Sequence, residues 1–372
     1  MSWRTKVVWS EGMLLQPQHL QQSERHADHA RHLLLRSTRA HAWGFAELEL
    51  DTAALALGKL ALTRAVGVFG DGTPFDMPAV DPLPEALDIP EGLRDEAIVL
   101  ALPLRRAGAR EADAEAYEDL VRHRVLEVEV PDSNTSGDRS AMLQLGALHT
   151  RLMRAGDATD AWTTLRVARV TERRVDNQVL LDRAVVPPLL DVAAHPLPRG
   201  WLDELLGLLR QRGDELAGSL TAGGTGGVAE IADFLMLQTV NRNEAVFAHL
   251  AKTATLHPQH FFEHTLSLAG DLITFRDSRR TTRFGPYVHD DLALSFKPVM
   301  DDLRRSFAMV IDRAAIRIEL HERKNNVHVA VVKDTELQRK AIFVRVNRDG
   351  PQPQLGGRAE NTDSDLTAIG DE

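Results

Sequence analysis

Val185-Val186-Pro187-Pro188, followed shortly by His195-Pro196-Leu197-Pro198, divides the chain into two kinds of pattern. Proline removes a backbone donor and pushes its predecessor out of helical space, so paired prolines read as a boundary. Upstream, apolar residues alternate. Ala46-Glu47-Leu48-Glu49-Leu50-Asp51 and Leu126-Glu127-Val128-Glu129-Val130 both have a period of two, the mark of a half-buried strand with one face on a core and one in water. Lys59–Phe69, Ala97–Pro103 and Trp162–Val170 are further strand candidates, and Thr5–Trp9 is another. Turn chemistry separates them at Gly70-Asp71-Gly72-Thr73-Pro74, along the proline-rich run from Pro78 to Pro90, and at Ser133–Asp138. One helix interrupts this region, opened by Pro17 at its first position and running from Gln18 to about Arg39. The expectation for residues 1–186 is a β-rich, sandwich-like domain.

Downstream the period becomes helical. Trp201, Leu205, Leu208, Leu209 and Leu216 share one helix face. After the glycine-rich break Thr221–Gly227, a second helix to about Lys252 carries Ile231, Phe234, Leu235, Val240 and Phe247. Pro258 opens a third helix to about Phe275. Asp290 or Asp291 is placed to cap a fourth, to about Asp312, with a kink expected at Pro298. Consecutive helices with short links predict a four-helix bundle over 187–313. From Ala315 alternation returns at Ile316, Ile318 and Leu320 and again at Val327, Val329 and Val331. That predicts two strands about a turn at His321–Asn326, then a helix beginning over Glu336–Ala341. Residues 314–345 read as an incomplete α/β stub, and 346–372, acidic from Glu360, as a disordered tail. The fold class is therefore multidomain α+β.

Composition narrows the function. The 372 residues carry 44 Lys and Arg against 54 Asp and Glu, a net charge of −10. Phosphate-driven nucleic-acid binding wants the opposite sign, so no nucleic-acid partner is expected, nor docking on anionic lipid. The absence of cysteine removes thiolate catalysis, thiolate metal sites and disulfides. No signal peptide is visible and no apolar run reaches bilayer length, so no direct membrane insertion is expected.

Candidate chemistry is sparse. His257, His260 and His264 share a helix with Glu263, but they do not form His-Glu-x-x-His, and the expected reading is capping or surface histidine. His26, His29 and His32 interleave with Arg25 and Arg31, which would repel a cation. Gly223-Gly224-Thr225-Gly226-Gly227 lacks the Gly-Lys-Ser/Thr of a phosphate loop. No nucleophile elbow is present. No catalytic, cofactor or metal residue is assigned, and an enzyme is not expected. Gln238, Asn241, Arg242 and Glu244 interrupt an apolar helix; a solvated face and a register-fixing network both remain open readings.

The N-terminal run Val8-Trp9-Ser10-Glu11-Gly12-Met13-Leu14-Leu15-Gln16-Pro17-Gln18-His19-Leu20-Gln21-Gln22 resembles the signature of the TssK family, the baseplate subunits of the bacterial type VI secretion machine. Two more stretches carry the resemblance. The first is Trp43-Gly44-Phe45 followed by Gly67–Phe75. The second comprises Gln238–Arg242, His257-Pro258, Leu268–Phe275 and Tyr287–Asp291. The resemblance covers roughly residues 3 to 344. It implies a β-sandwich shoulder (1–186), a helical neck (187–313) and an α/β head, here a remnant (314–345) before the tail (346–372). It further implies a phage-tail-like, non-enzymatic homotrimer in the bacterial cytoplasm, lying at the inner membrane's cytoplasmic face when assembled. Such a trimer binds the wedge subunits TssF and TssG through shoulder and neck, and the membrane-complex proteins TssL and TssM through the head. Because nothing similar to the family follows Arg345, contact with TssL and TssM is expected to be lost or impaired. Interaction residues expected on this basis are Trp9, Glu11, Gly12, Met13, Leu14, Pro17, Gln18 and His19 in the arm, Gln238, Asn241 and Arg242 in the neck, and Tyr287, His289 and Asp290. The rival readings are a phage-tail-like receptor-binding or fibre protein and a metal-dependent hydrolase using the helical histidines.

Overall fold

The computed structural model describes residues 3–113, 120–134, 139–221, 228–276, 280, 282–315, 321–323, 327–332, 340–345 and 366–367, with side chains through Ala308 apart from 228 and 229. Its class is mixed α/β. Six helices are described: α1 Pro17–Thr38, α2 Thr52–Ala56, α3 Pro196–Thr221, α4 Val228–Leu250, α5 Pro258–Ile273 and α6 Leu292–Ala315. The strands before α3 are β1 Gly44–Leu50, β2 Lys59–Leu60, β3 Leu62–Val68, β4 Pro74–Met77, β5 Leu87–Asp88, β6 Arg94–Pro103, β7 Ala112–Asp113, β8 His123–Pro131, β9 Ser140–Leu148, β10 Arg151–Arg154, β11 Trp162–Arg173 and β12 Val179–Leu181. After α6 come β13 His321–Arg323, β14 Val327–Val332, β15 Lys340–Arg345 and β16 Leu366–Thr367.

The chain divides into two compact units. One comprises Met1–Leu206, Val246–His264 and Gly285–Lys297; the other comprises Gly207–Ala245, Thr265–Phe284 and Pro298–Glu372.

In the first unit the sheets run β1-β3-β4, β10-β6-β11-β12, β2-β5 and β7-β8-β9. β6, an inner strand of its sheet, is buried on both faces from Ile98 to Pro103, whereas β11 alternates on either side of an irregularity between Arg166 and Ala168, burying Leu165, Val167 and Val170. Phe45, Phe69 and Phe75 form an aromatic cluster, with Phe69 and Phe75 ring centroids 4.9 Å apart. The Pro187-Pro188 boundary is pinned to this core. Phe45 donates to the Pro188 carbonyl at 2.9 Å and accepts from Leu190 at 2.7 Å. Gly44 permits it, since a Cβ there would stand 2.7 Å from that carbonyl oxygen and the backbone holds φ at +124°. The helical ends in this unit meet through Trp201 stacked on Phe296 at 5.1 Å and Phe261 on Phe296 at 5.0 Å.

The second unit packs Leu209, Leu216, Met236, Val240, Leu268, Leu272, Val299, Leu303 and Phe307 into a helical core. Buried Asp302 receives Arg276 at 2.9 Å and Arg305 at 3.2 Å. In the same unit β13-β14-β15-β16 form a sheet, antiparallel except for the parallel β15–β16 pair.

The structure corrects five local expectations. Thr5–Trp9 is not a strand: its neighbour is α1, whose Gln22 Nε2 donates to the Thr5 carbonyl at 2.6 Å. The β8 alternation does not mark a half-buried strand. Leu126 lies opposite Leu145 and Val128 opposite Leu143, forming one apolar face of the hairpin that is open to solvent. Of the stretch expected as a turn, His321–Asn326, residues His321–Arg323 instead pair with β14, and 324–326 lie outside the described residues. Of the stretch expected to begin a helix, Glu336–Ala341, residues Lys340 and Ala341 belong to β15, whose Ile342, Phe343 and Val344 suit a pleated strand, and 336–339 lie outside the described residues. In the stretch read as tail, Leu366–Thr367 pair with Ala341–Ile342; Ile316, Ile318 and Leu320 lie outside the described residues. The helices otherwise match their expected bounds. α3 starts early, at Pro196, because proline is tolerated in a first turn and His195 Nδ1 accepts the Leu197 N–H at 3.2 Å. α6 continues through Pro298.

Candidate docking surfaces

The N-terminal arm is shaped by two residues. Gly12, at φ +75°, turns the chain so that Met13 N–H reaches the Ser10 carbonyl at 3.3 Å. Pro17 then begins α1, and His19 Nδ1 accepts the Gln16 backbone N–H at 3.1 Å. The consequence is an arm whose apolar side chains face out: Trp9 is 52% and Leu14 78% exposed, with Met13, Leu15 and Leu20 also exposed. Glu11, Gly12, Pro17 and Gln18 are exposed as well, and the Trp9 ring lies 6.1 Å from His19. No residue of α1 is buried.

The α4 group separates in two. Gln238 and Asn241 are exposed. Arg242 pairs with Asp271 of α5. Sequence reasoning missed Asn243, which is buried and donates to the Thr239 carbonyl at 2.9 Å and to Asp271 at 3.2 Å. Only its neighbours' register on the helix pointed to it. One turn back, Ile231, Phe234 and Leu235 stand uncovered, with Phe234 60% exposed. The second uncovered apolar face is the β8–β9 hairpin.

Tyr287 and His289 sit in a different setting. His289 is 3% exposed, donates Nε2–H to the Trp43 carbonyl at 2.7 Å and accepts from the Tyr287 hydroxyl through Nδ1 at 2.8 Å. His257 stacks on it at 5.5 Å, donates to the His41 carbonyl at 3.1 Å and accepts the Gln259 N–H. His41 also stacks on His289, at 4.9 Å. Burial pushes His289 down to about 4 and also lowers His257. Both are thus neutral, with every ring nitrogen occupied. This cluster ties the start of β1 to the starts of α5 and α6. Asp290 is exposed, whereas Asp291 engages Arg166 of β11 at 3.0 Å. His257 is thereby separated from His260 and His264, whose rings meet edge-on at 4.7 Å. His41, and the part that Trp43 plays here, escaped sequence reasoning because the partners lie more than two hundred residues away in the chain.

Apolar faces left uncovered are the features of an assembly subunit. The chain belongs to the family described as "Bacterial Type VI secretion, VC_A0110, EvfL, ImpJ, VasE", whose model matches residues 19–361. The match extends past Arg345, which corrects the expectation that nothing similar to the family follows that residue. Over 360 residues the chain is 46% identical to the type VI secretion system baseplate component TssK1 of Pseudomonas aeruginosa, covering 96% of this chain and 81% of that one. It also matches a crystal structure of TssK at a TM-score of 0.79 and 38% identity, covering 90% of this chain and 76% of that one. A chain of the TssK-TssF-TssG baseplate subcomplex matches at 0.73 and 28% identity, covering 82% of this chain and 99% of that one. Among the described residues no helix is long and apolar enough to cross a membrane.

Proposed function

We propose that the chain is a structural, non-enzymatic adaptor of the type VI secretion baseplate, acting in the cytoplasm as a homotrimer that binds TssF and TssG. The division into a β-sandwich shoulder (1–186), a four-helix neck (187–313), a head region (314–345) and a tail (346–372) belongs to the same proposal. So do the arm residues Trp9, Glu11, Gly12, Met13, Leu14, Pro17, Gln18 and His19 as anchors. Gln238, Asn241 and Arg242 are assigned to the neck network, and Tyr287, His289 and Asp290 to a further protein-interaction site, with exposed Asp290 as its contact in front of the Tyr287–His289 pair.

One observation carries the reading: a single chain leaves the α4 stripe of Ile231, Phe234 and Leu235 uncovered. Copies related by symmetry would bury such a stripe. Three copies would then present every other surface three times, so that weak contacts combine into avidity.

Light scattering on the full chain, alone and with TssF and TssG, tests this. A trimer weighs three times 41.2 kDa, and the expected result is that mass, rising when the wedge subunits are added. Ile231→Asp with Phe234→Asp should give monomers. A wild-type monomer that ignores TssF and TssG would refute the proposal.

A further inference from the structure

A cleft of about 660 Å³ opens between α1 and the β3–β4 turn, and six arginines line it: Arg4, Arg25, Arg31, Arg36, Arg105 and Arg122. Two carboxylates, Asp28 and Asp71, line it with them. The chain as a whole carries a net charge of −10. A local cationic excess against that background comes from placement, because composition alone would give the opposite sign.

The floor of the cleft is rigid. Arg122 is 3% exposed, and its guanidinium donates to the Pro103 carbonyl, to Asp71 at 2.9 Å and to the Thr73 hydroxyl. Asp28 accepts from Arg105 at 3.0 Å and also from Arg31. His32 of α1 packs directly on the turn: a Cβ on Gly72 would stand 1.9 Å from its Nδ1. Among the described residues, seven buried side-chain polar atoms lack a hydrogen-bond partner, and three of them belong to this cleft: His32 Nδ1, Arg105 Nε and Arg122 Nε. Counting Glu111, which stands 3.5 Å from Arg105 Nε and 4.0 Å from Arg25, three carboxylates meet the six guanidiniums, and the cationic excess remains.

The exposed arginines at the rim are the charges that a ligand would meet. Arg4, Arg31 and Arg36 are exposed there. Arg31 and Arg36 are five residues apart on α1, about 7.5 Å of helix rise, and Arg25 to Arg36 spans about 16 Å. At about 100° per residue Arg25 and Arg36 share one face of α1 while Arg31 is turned about 120–140° away, and charges spread in this way do not converge on one compact phosphate. They match carboxylates spaced along an extended segment of about five residues. Leu33, Leu35 and Trp3 beside them offer apolar contact for such a segment. We infer that this cleft binds an acidic segment of a partner protein, with Arg4, Arg31 and Arg36 engaging its carboxylates over the fixed charges of Arg105 and Arg122. The inference rests on the adaptor reading for the existence of a protein partner.

A fluorescein-labelled oligoglutamate peptide, titrated into the full chain and read by anisotropy, tests it. Saturable binding is expected, weakened at least about tenfold by Arg4→Glu with Arg36→Glu and by raised salt. Arg183→Glu, an exposed arginine outside the cleft, should leave it unchanged. Equal binding by the double variant, or an equal loss in Arg183→Glu, would overturn the inference. So would inorganic phosphate or pyrophosphate displacing the peptide as effectively as unlabelled peptide does. Glu115, Glu118 and Asp119 lie between Glu111 and Arg122 in sequence. Binding seen only after their neutralisation to Gln and Asn would assign the cleft to the chain's own acidic run and overturn the inference too. The mass of the complex with TssF and TssG is read separately, so a wild-type chain that joins them but ignores the peptide sinks the cleft and spares the adaptor.

Discussion

Acidification should destabilise the fold through the histidine cluster, because its rings are buried in the neutral form. His289 has a pKa of about 4 in the folded chain against 6.5 when unfolded. The cause is burial, opposed by its bond to the Trp43 carbonyl. The unfolded chain therefore takes up a proton that the folded one refuses. The stabilisation is complete above the unfolded value and is lost as pH falls from there toward the folded one. Between about pH 7 and about pH 5 the linkage relation gives a loss of about 2 kcal/mol from this residue alone. His257, also lowered by burial, adds in the same direction. The assay is urea unfolding of the wild type and of His289→Gln across that range. The variant is less stable at neutral pH but lacks this titration, while every carboxylate and the other histidines remain common to both. The gap between the two curves should therefore shrink by about 2 kcal/mol on acidification. Parallel curves would refute the assignment of His289 as a neutral, doubly bonded link.

Two further substitutions test the packing. Gly44→Ala places a Cβ 2.7 Å from the Pro188 carbonyl oxygen at a φ of +124°, so thermal melting should show a loss on the order of 2 kcal/mol or more; an unchanged midpoint would mean that the boundary segment does not approach β1 this closely. Asp302→Ala removes the acceptor shared by Arg276 and Arg305 and should cost about 3 kcal/mol in urea unfolding, because Arg276 keeps its charge without a counter-ion. A cost below about 1 kcal/mol would mean that water already solvates that guanidinium.

Local pattern was enough for most elements. Pro17 and Pro258 start helices in sequence and in space, and the apolar spacing of α3, α5 and α6 reports their buried faces, because a helix displays its period within a few turns of chain. The family motif Trp43-Gly44-Phe45 was legible as a motif, but its reason was not: Gly44 is required by Pro188, which only folding brings within 3 Å.

By itself, the sequence determined the order of the β-rich and helical segments, the family resemblance and the absence of thiol chemistry. Each of these depends on residue identity or on spacing over a few residues. Tertiary structure decided what long-range approach alone can fix. It joined His41, His257 and His289 across the chain, put Asn243 rather than Asn241 against Asp271, and gathered six arginines into one cleft of an acidic protein. It also left the alternating residues of β8 without a core to cover them. Alternation tells which side chains share a face; only the assembled fold tells whether anything lies on that face.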